Sequence, residues 1–156
     1  MKPTRRTTLL AGAAGLAAAT VGMRAAFAAK APVYTGFLSN TAVGGHDPVA
    51  YFADGRPVEG SRSHVHRWRG ADWRFASAAN LQRFAADPER YAPRFGGYCA
   101  WAVAQGYTAA GNPRFWKIVD GRLYLNFDAN VQRMWEADMA GFIARAERNW
   151  PGVLSS

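Results

Sequence analysis

Phe115-Trp116-Lys117-Ile118-Val119-Asp120-Gly121-Arg122-Leu123-Tyr124-Leu125-Asn126-Phe127 decides the fold class. Asp120-Gly121 sits between two runs of alternating apolar residues. Asp-Gly is a preferred pair for a two-residue hairpin turn, because the central positions there need φ > 0. The stretch therefore reads as an antiparallel hairpin, with Ile118 facing Leu123 and Trp116 facing Leu125.

A second hairpin is expected upstream, over residues 62–75. His64, His66 and Trp68 alternate with Val65, Arg67 and Arg69, which is the period of a strand. Gly70-Ala71 reads as its loop, glycine first. That register sets Trp68 against Trp73, His66 against Phe75 and Arg67 against Arg74. Like charges directly opposite are unfavourable, so this face is expected to be wet or to meet acids.

Helices fill the rest. Ser77 caps one over residues 78–86, with Leu81 and Phe84 inward. Asp87-Pro88 restarts a short one, with Asp87 as its cap and Pro88 at the first helical position, and Pro93 ends it. Gly96-Gly97 opens a third over residues 98–105, closed by Gly106, with Cys99, Ala102 and Val103 on one face. Asp128 caps a helix carrying Val131, Met134 and Trp135, and Asp138 caps a last one carrying Phe142, Ile143 and Ala146. Residues 46–52 read as a turn and a short strand, and residues 107–113 as a loop. No internal repeat is visible. The expected architecture is α+β: short antiparallel hairpins packed with several short helices in a single aromatic-rich domain, residues 43–151. Residues 29–42 are a lead-in and residues 152–156 a disordered tail.

Residues 1–28 read as an export signal. Arg5-Arg6 precedes an uncharged, Ala-rich run, and Ala26-Phe27-Ala28 gives a small-x-small cleavage pattern. The paired arginines point to the twin-arginine route. The run is too short and Ala-rich for a stable transmembrane anchor after cleavage. Lys2, Arg5, Arg6 and Arg24 leave with the signal and no acid does, so the formal charge of +8 falls to +4. A mildly basic, periplasmic or secreted domain calls for no nucleic acid. Cys99 is the only cysteine. It cannot form an internal disulfide, so it is expected to be buried, bound or used.

Asp47-Pro48-Val49-Ala50-Tyr51-Phe52, Trp73-Arg74-Phe75-Ala76-Ser77, Phe84, Asp87-Pro88, Tyr91 and Gly96-Gly97-Tyr98-Cys99-Ala100 resemble the YHS-domain family, in its exported single-domain branch. Some members of that family look metal-binding and carry cysteines after Asp-Pro-Val and in a Phe-Cys-Ser-x-x-Cys segment. Ala50, Ala76 and Asn80 stand at those positions here, so a thiolate cluster does not carry over.

Cys99 is the leading candidate. A place in the first turn of a helix exposes it to unpaired N–H groups and a positive dipole end, which favour thiolate and lower the pKa. The plain alternative is a buried small hydrophobe. His64 and His66, two apart on a strand, share a face and suit a metal ion; otherwise one stacks on Phe75 and the other is exposed. With His46 and Cys99 they form a plausible set for copper or zinc. Asp47 fixes its Asp-Pro turn or orients a histidine. Asp47 and Tyr98 are named with Cys99 as candidate ligand contacts. Arg67, Arg69 and Arg74 form a basic face. The favoured function is a binding or accessory protein that holds a metal ion or small ligand near Cys99. The alternatives are an enzyme with Cys99 as nucleophile and a histidine base, and a purely structural interaction domain. Any protein partner is open.

Overall fold

The computed structural model describes residues 28–156, and nearly all of the expected export signal lies outside them. The α+β architecture is as read. Helix α1 (Ala50–Ala53) precedes hairpin β1 (Ser61–Trp68) and β2 (Ala71–Phe75). Then come α2 (Ala78–Ala86), α3 (Pro88–Tyr91) and α4 (Ala100–Ala104). Hairpin β3 (Asn112–Val119) and β4 (Arg122–Asn126) leads into α5 (Ala129–Glu136) and α6 (Met139–Asn149). The two hairpins are separate two-stranded antiparallel sheets. Among the described residues no helix is long and apolar enough to cross a membrane.

The second hairpin pairs Trp116 with Leu125 and Ile118 with Leu123, across Asp120 and Gly121 at φ 50° and 71°. The first is shifted from its expected register. Its loop is Arg69-Gly70, at φ 47° and 77°, not Gly70-Ala71, and Trp68 pairs with Ala71. An Arg in the left-handed region is disfavoured, which hid the turn. Two contacts hold Arg69 there: it lies over the Trp68 ring at 4.4 Å and pairs with Glu89. The shift also removes the expected clash of like charges, since Arg67 now faces Asp72 and bonds it at 2.8 Å.

Three of the expected capping residues act as read, while Asp87 precedes α3 without a side-chain capping bond. Ser77 Oγ accepts from Asn80 N, Asp128 Oδ1 from Val131 N and Asp138 Oδ1 from Gly141 N, at 3.1, 2.8 and 3.0 Å. Phe84 and Trp135 are fully buried, but Met134 is 46% exposed. Residues 50–53 are helix, not strand. Asp47 accepts the N–H groups of Val49 and Ala50 at 2.8 and 3.3 Å, which turns the chain into a helical start. The final residues are ordered. Gly152–Ser155 is a 3-10 turn that buries Val153 and Leu154, and Leu154 O accepts from Lys30 N at 2.7 Å. The lead-in is a strap of irregular backbone: Val33 is buried, and Tyr34 N donates to Gly96 O at 2.9 Å.

The chain carries an internal repeat that its sequence conceals. Each feature of residues 42–91 returns 51 or 52 residues later. A 3-10 segment with a kink, Ala42–Gly45, matches Arg94–Gly97. Val43 and Gly44, at φ 53° and 57°, match Phe95 and Gly96 at 58° and 62°. Gly45, Gly55 and Gly70 match Gly97, Gly106 and Gly121, all with φ > 0, and Arg69 matches Asp120. Both hairpins break register at the same place, after Ser61–Phe75 and after Asn112–Asn126. Ser77, Phe84 and Asp87 match Asp128, Trp135 and Asp138. Each half has its own apolar cluster. Leu123 and Leu125 join the first cluster, and Tyr51 Oη donates to Pro113 O at 2.7 Å, so the halves are tied together.

Candidate functional site

Cys99 lies between structures. Its N–H donates to Ala109 O and its carbonyl accepts from Val103 N, at 2.9 and 3.1 Å, and it bridges Leu125 of β4. Helix α4 begins one residue later, so Cys99 is the cap residue rather than part of a helix running from Tyr98. The backbone N–H groups of Ala102, Phe127 and Trp101 lie near its sulfur and favour thiolate. Even so, burial pushes the thiol pKa up, outweighing these N–H groups. The expected depression is therefore reversed. The side chain is a neutral thiol that faces Asn126 Oδ1 at 3.6 Å as a weak donor.

Asn126 is the residue that sequence reasoning missed. It is fully buried, and its Oδ1 also accepts Trp101 N at 3.1 Å. Its Nδ2 donates to Gln132 Oε1 at 2.7 Å. Gln132 Nε2 donates to Trp116 O and to Glu136 Oε1, at 3.2 and 2.9 Å, and Lys117 Nζ reaches the same Glu136 oxygen. A polar chain thus runs from the buried sulfur to the surface with every member bonded, as a buried network requires. The one clue in the sequence is a polar residue at the end of an alternating apolar strand.

Above Cys99 is an open, apolar pocket of about 190 Å³. Trp101, Tyr107, Phe127 and Val131 wall it, with Ala102 and Ala109. The sulfur has no exposed surface and sits beneath the floor. Trp101 and Tyr107 meet edge to face at 6.4 Å, and Tyr107 and Phe127 stay 47% and 50% exposed.

The repeat gives this region a counterpart in the first half. Asp47 is the counterpart of Cys99, and Asn80 of Val131. In the first half Asp47 is fully buried. Its Oδ2 accepts Ala76 N and Asn80 Nδ2, at 2.9 and 2.7 Å, in addition to the two bonds at Oδ1. The amide of Asn80 fills the gap between helix and turn. In the second half Val131 and Cys99 make no such bond to each other, and the pocket lies beside them. Asp47 is therefore the staple of its own turn, not an orienter of a histidine.

The other candidates lie elsewhere. No histidine lines the pocket over Cys99. His46 bridges Glu59, and its Nδ1 is buried without a partner. His66 packs on Phe84 at 6.0 Å, not on Phe75. His64 lies just after the irregularity in β1, and it alternates with Val65 as His66 does with Arg67, both histidines half-buried. Among the described residues no three His, Cys, Asp or Glu side chains are placed to hold a metal ion together. The set of His46, His64, His66 and Cys99 does not fit copper or zinc as one site. Tyr98 belongs to the second core: it stacks near Tyr34 and Trp150, and its Oη donates to Ala31 O at 2.8 Å. The arginine face is partly neutralised, since Arg67 and Arg69 have acidic partners. Comparison with protein families, with curated proteins and with solved structures finds no match to this chain.

Proposed function

We propose that this is an exported binding protein of YHS-like type that holds a small apolar or aromatic molecule in the pocket over Cys99. The observation that carries the reading is the pocket itself, about 190 Å³, walled by Trp101, Tyr107, Phe127 and Val131. An apolar cavity of this order accommodates a single aromatic ring. The polar groups beneath it are already bonded to one another, so an apolar occupant leaves no donor or acceptor stranded. Cys99 is neutral and has no imidazole beside it in this pocket. A thiol nucleophile needs a base within hydrogen-bond reach, and this supports binding over catalysis.

Toluene is the probe. At about ten times its Kd, linkage gives about 1.4 kcal/mol of stabilisation, a rise of roughly 5 °C in Tm for a domain of this size. Val131→Trp fills the pocket and removes that rise. A Tm indifferent to toluene, or the same rise in Val131→Trp, would count against the reading.

A further inference from the structure

The halves differ most where one helix is cut short. In the second half, α6 continues about two turns past Phe142. It covers α4, and Asn149 Nδ2 donates to Val103 O and Ala104 O at 2.9 and 3.2 Å. In the first half the matching α3 stops at Tyr91, because Pro93 follows and constrains Ala92 to extended backbone. The corresponding face of α1 is left uncovered. Phe52 is half-buried, whereas Ala104, its counterpart when the two helices are aligned from Asp47 and Cys99, is buried.

The uncovered space is a pocket of about 180 Å³ lined by Val49, Phe52, Ala53, Arg83, Arg90 and Tyr91. Its floor is aromatic: Phe52 and Tyr91 meet edge to face at 5.5 Å. Its rim carries two cations. Among the described residues, neither Arg83 nor Arg90 has an acid within salt-bridge distance; the ion pairs there use Arg67, Arg69, Arg94 and Lys117. Arg90 lies over the Tyr91 ring at 5.4 Å. Asp87 and Glu89 border a separate groove that Arg90 also lines, and Glu89 is engaged by Arg69.

We propose that this pocket is a second binding site, taking a small organic carboxylate with an apolar body. The carboxylate sits between Arg83 and Arg90, whose planar guanidiniums bond carboxylates in a forked geometry. The body rests on Phe52 and Tyr91. The site is in the opposite half from Cys99 and does not depend on the pocket there.

Calorimetric titration of the purified protein with benzoate and with octanoate tests this, with acetate and benzyl alcohol as controls. At least one of the two acids binds saturably, and both controls bind at least about tenfold more weakly. Benzoate alone marks an aromatic acid, octanoate alone a lipid-derived acid, and either supports the proposal. Arg83→Gln and Arg90→Gln each weaken the acid about tenfold or more, the size of a lost charge-assisted bond. Both side chains are exposed, so Tm stays unchanged. Val131→Trp leaves this binding intact. Failure of both acids to saturate, benzyl alcohol or acetate binding as tightly, or indifference to both arginine substitutions overturns the proposal.

Discussion

Asp47 accepts four hydrogen bonds, while Cys99, in the same place one repeat later, faces a single amide oxygen as donor. Position alone does not set chemistry; the partners do. Asp47→Ala strands three backbone N–H groups and the Asn80 amide, so it should cost about 3–5 kcal/mol in chemical denaturation. Cys99 should react slowly with iodoacetamide at neutral pH and faster as pH rises beyond the ordinary thiol range. A folded-state pKa raised above the unfolded value stabilises fully below about pH 8.5. That contribution disappears as pH rises through the folded value. Stability should therefore fall on the alkaline side, and Cys99→Ala should remove the first part of that fall. The buried tyrosines Tyr51, Tyr98 and Tyr124, whose pKa values are also raised by burial, leave the remainder at higher pH. At this scale the sequence made Asp47 legible, because Asp before Pro has a local task. It misled on Cys99. Two glycines and a helix start suggest thiolate, but the desolvation that wins comes from β4 and α5, which are distant in the chain.

Among the elements, the hairpin at Asp120-Gly121 was legible down to its register, because both turn residues suit φ > 0. The hairpin at Arg69-Gly70 was not, since an arginine takes the left-handed position and only the folded contacts with Trp68 and Glu89 explain it. Ser77, Asp128 and Asp138 were read correctly as caps because capping is local, whereas Asp87 makes no capping bond. Met134 was misplaced, since helical spacing cannot tell a core face from an exposed flank at its edge. Glycines give the sharpest test at this scale. Gly44 and Gly96 are counterparts with φ 57° and 62°, so the backbone strain of an alanine is nearly equal at both. Their surroundings differ. A Cβ on Gly44 meets Pro113 Cγ at 3.4 Å, but on Gly96 it meets Pro32 O at 1.9 Å. Gly96→Ala should cost at least about 2 kcal/mol more than Gly44→Ala in urea unfolding. Equal costs would show that the strap at Pro32 does not pack there.

The whole molecule is two unequal copies of one unit, held together at Leu123, Leu125 and Tyr51 and fastened at its ends. The repeat escaped the sequence because few aligned positions match. Glycines form the shared skeleton: Gly44, Gly45, Gly55, Gly60 and Gly70 return as Gly96, Gly97, Gly106, Gly111 and Gly121. Backbone geometry kept them, while the core residues around them changed in kind. The α+β class was legible because it depends on turns and caps; the two pockets were not, because each lies where the copies differ. The ordered C-terminus belongs to this scale too. Deleting residues 152–156 removes the buried Val153 and Leu154 and the bond from Lys30, and should lower stability by roughly 2–4 kcal/mol. The central claim is that the second copy, with Val131 and Cys99 where the first has Asn80 and Asp47, holds a ligand pocket. It is tested most directly by following amide and side-chain NMR shifts during a toluene titration. Saturable changes confined to Trp101, Tyr107, Ala109, Phe127 and Val131, and absent in Val131→Trp, are the predicted result. Shifts scattered over both halves, or none around Cys99 at the solubility limit of toluene, would contradict it.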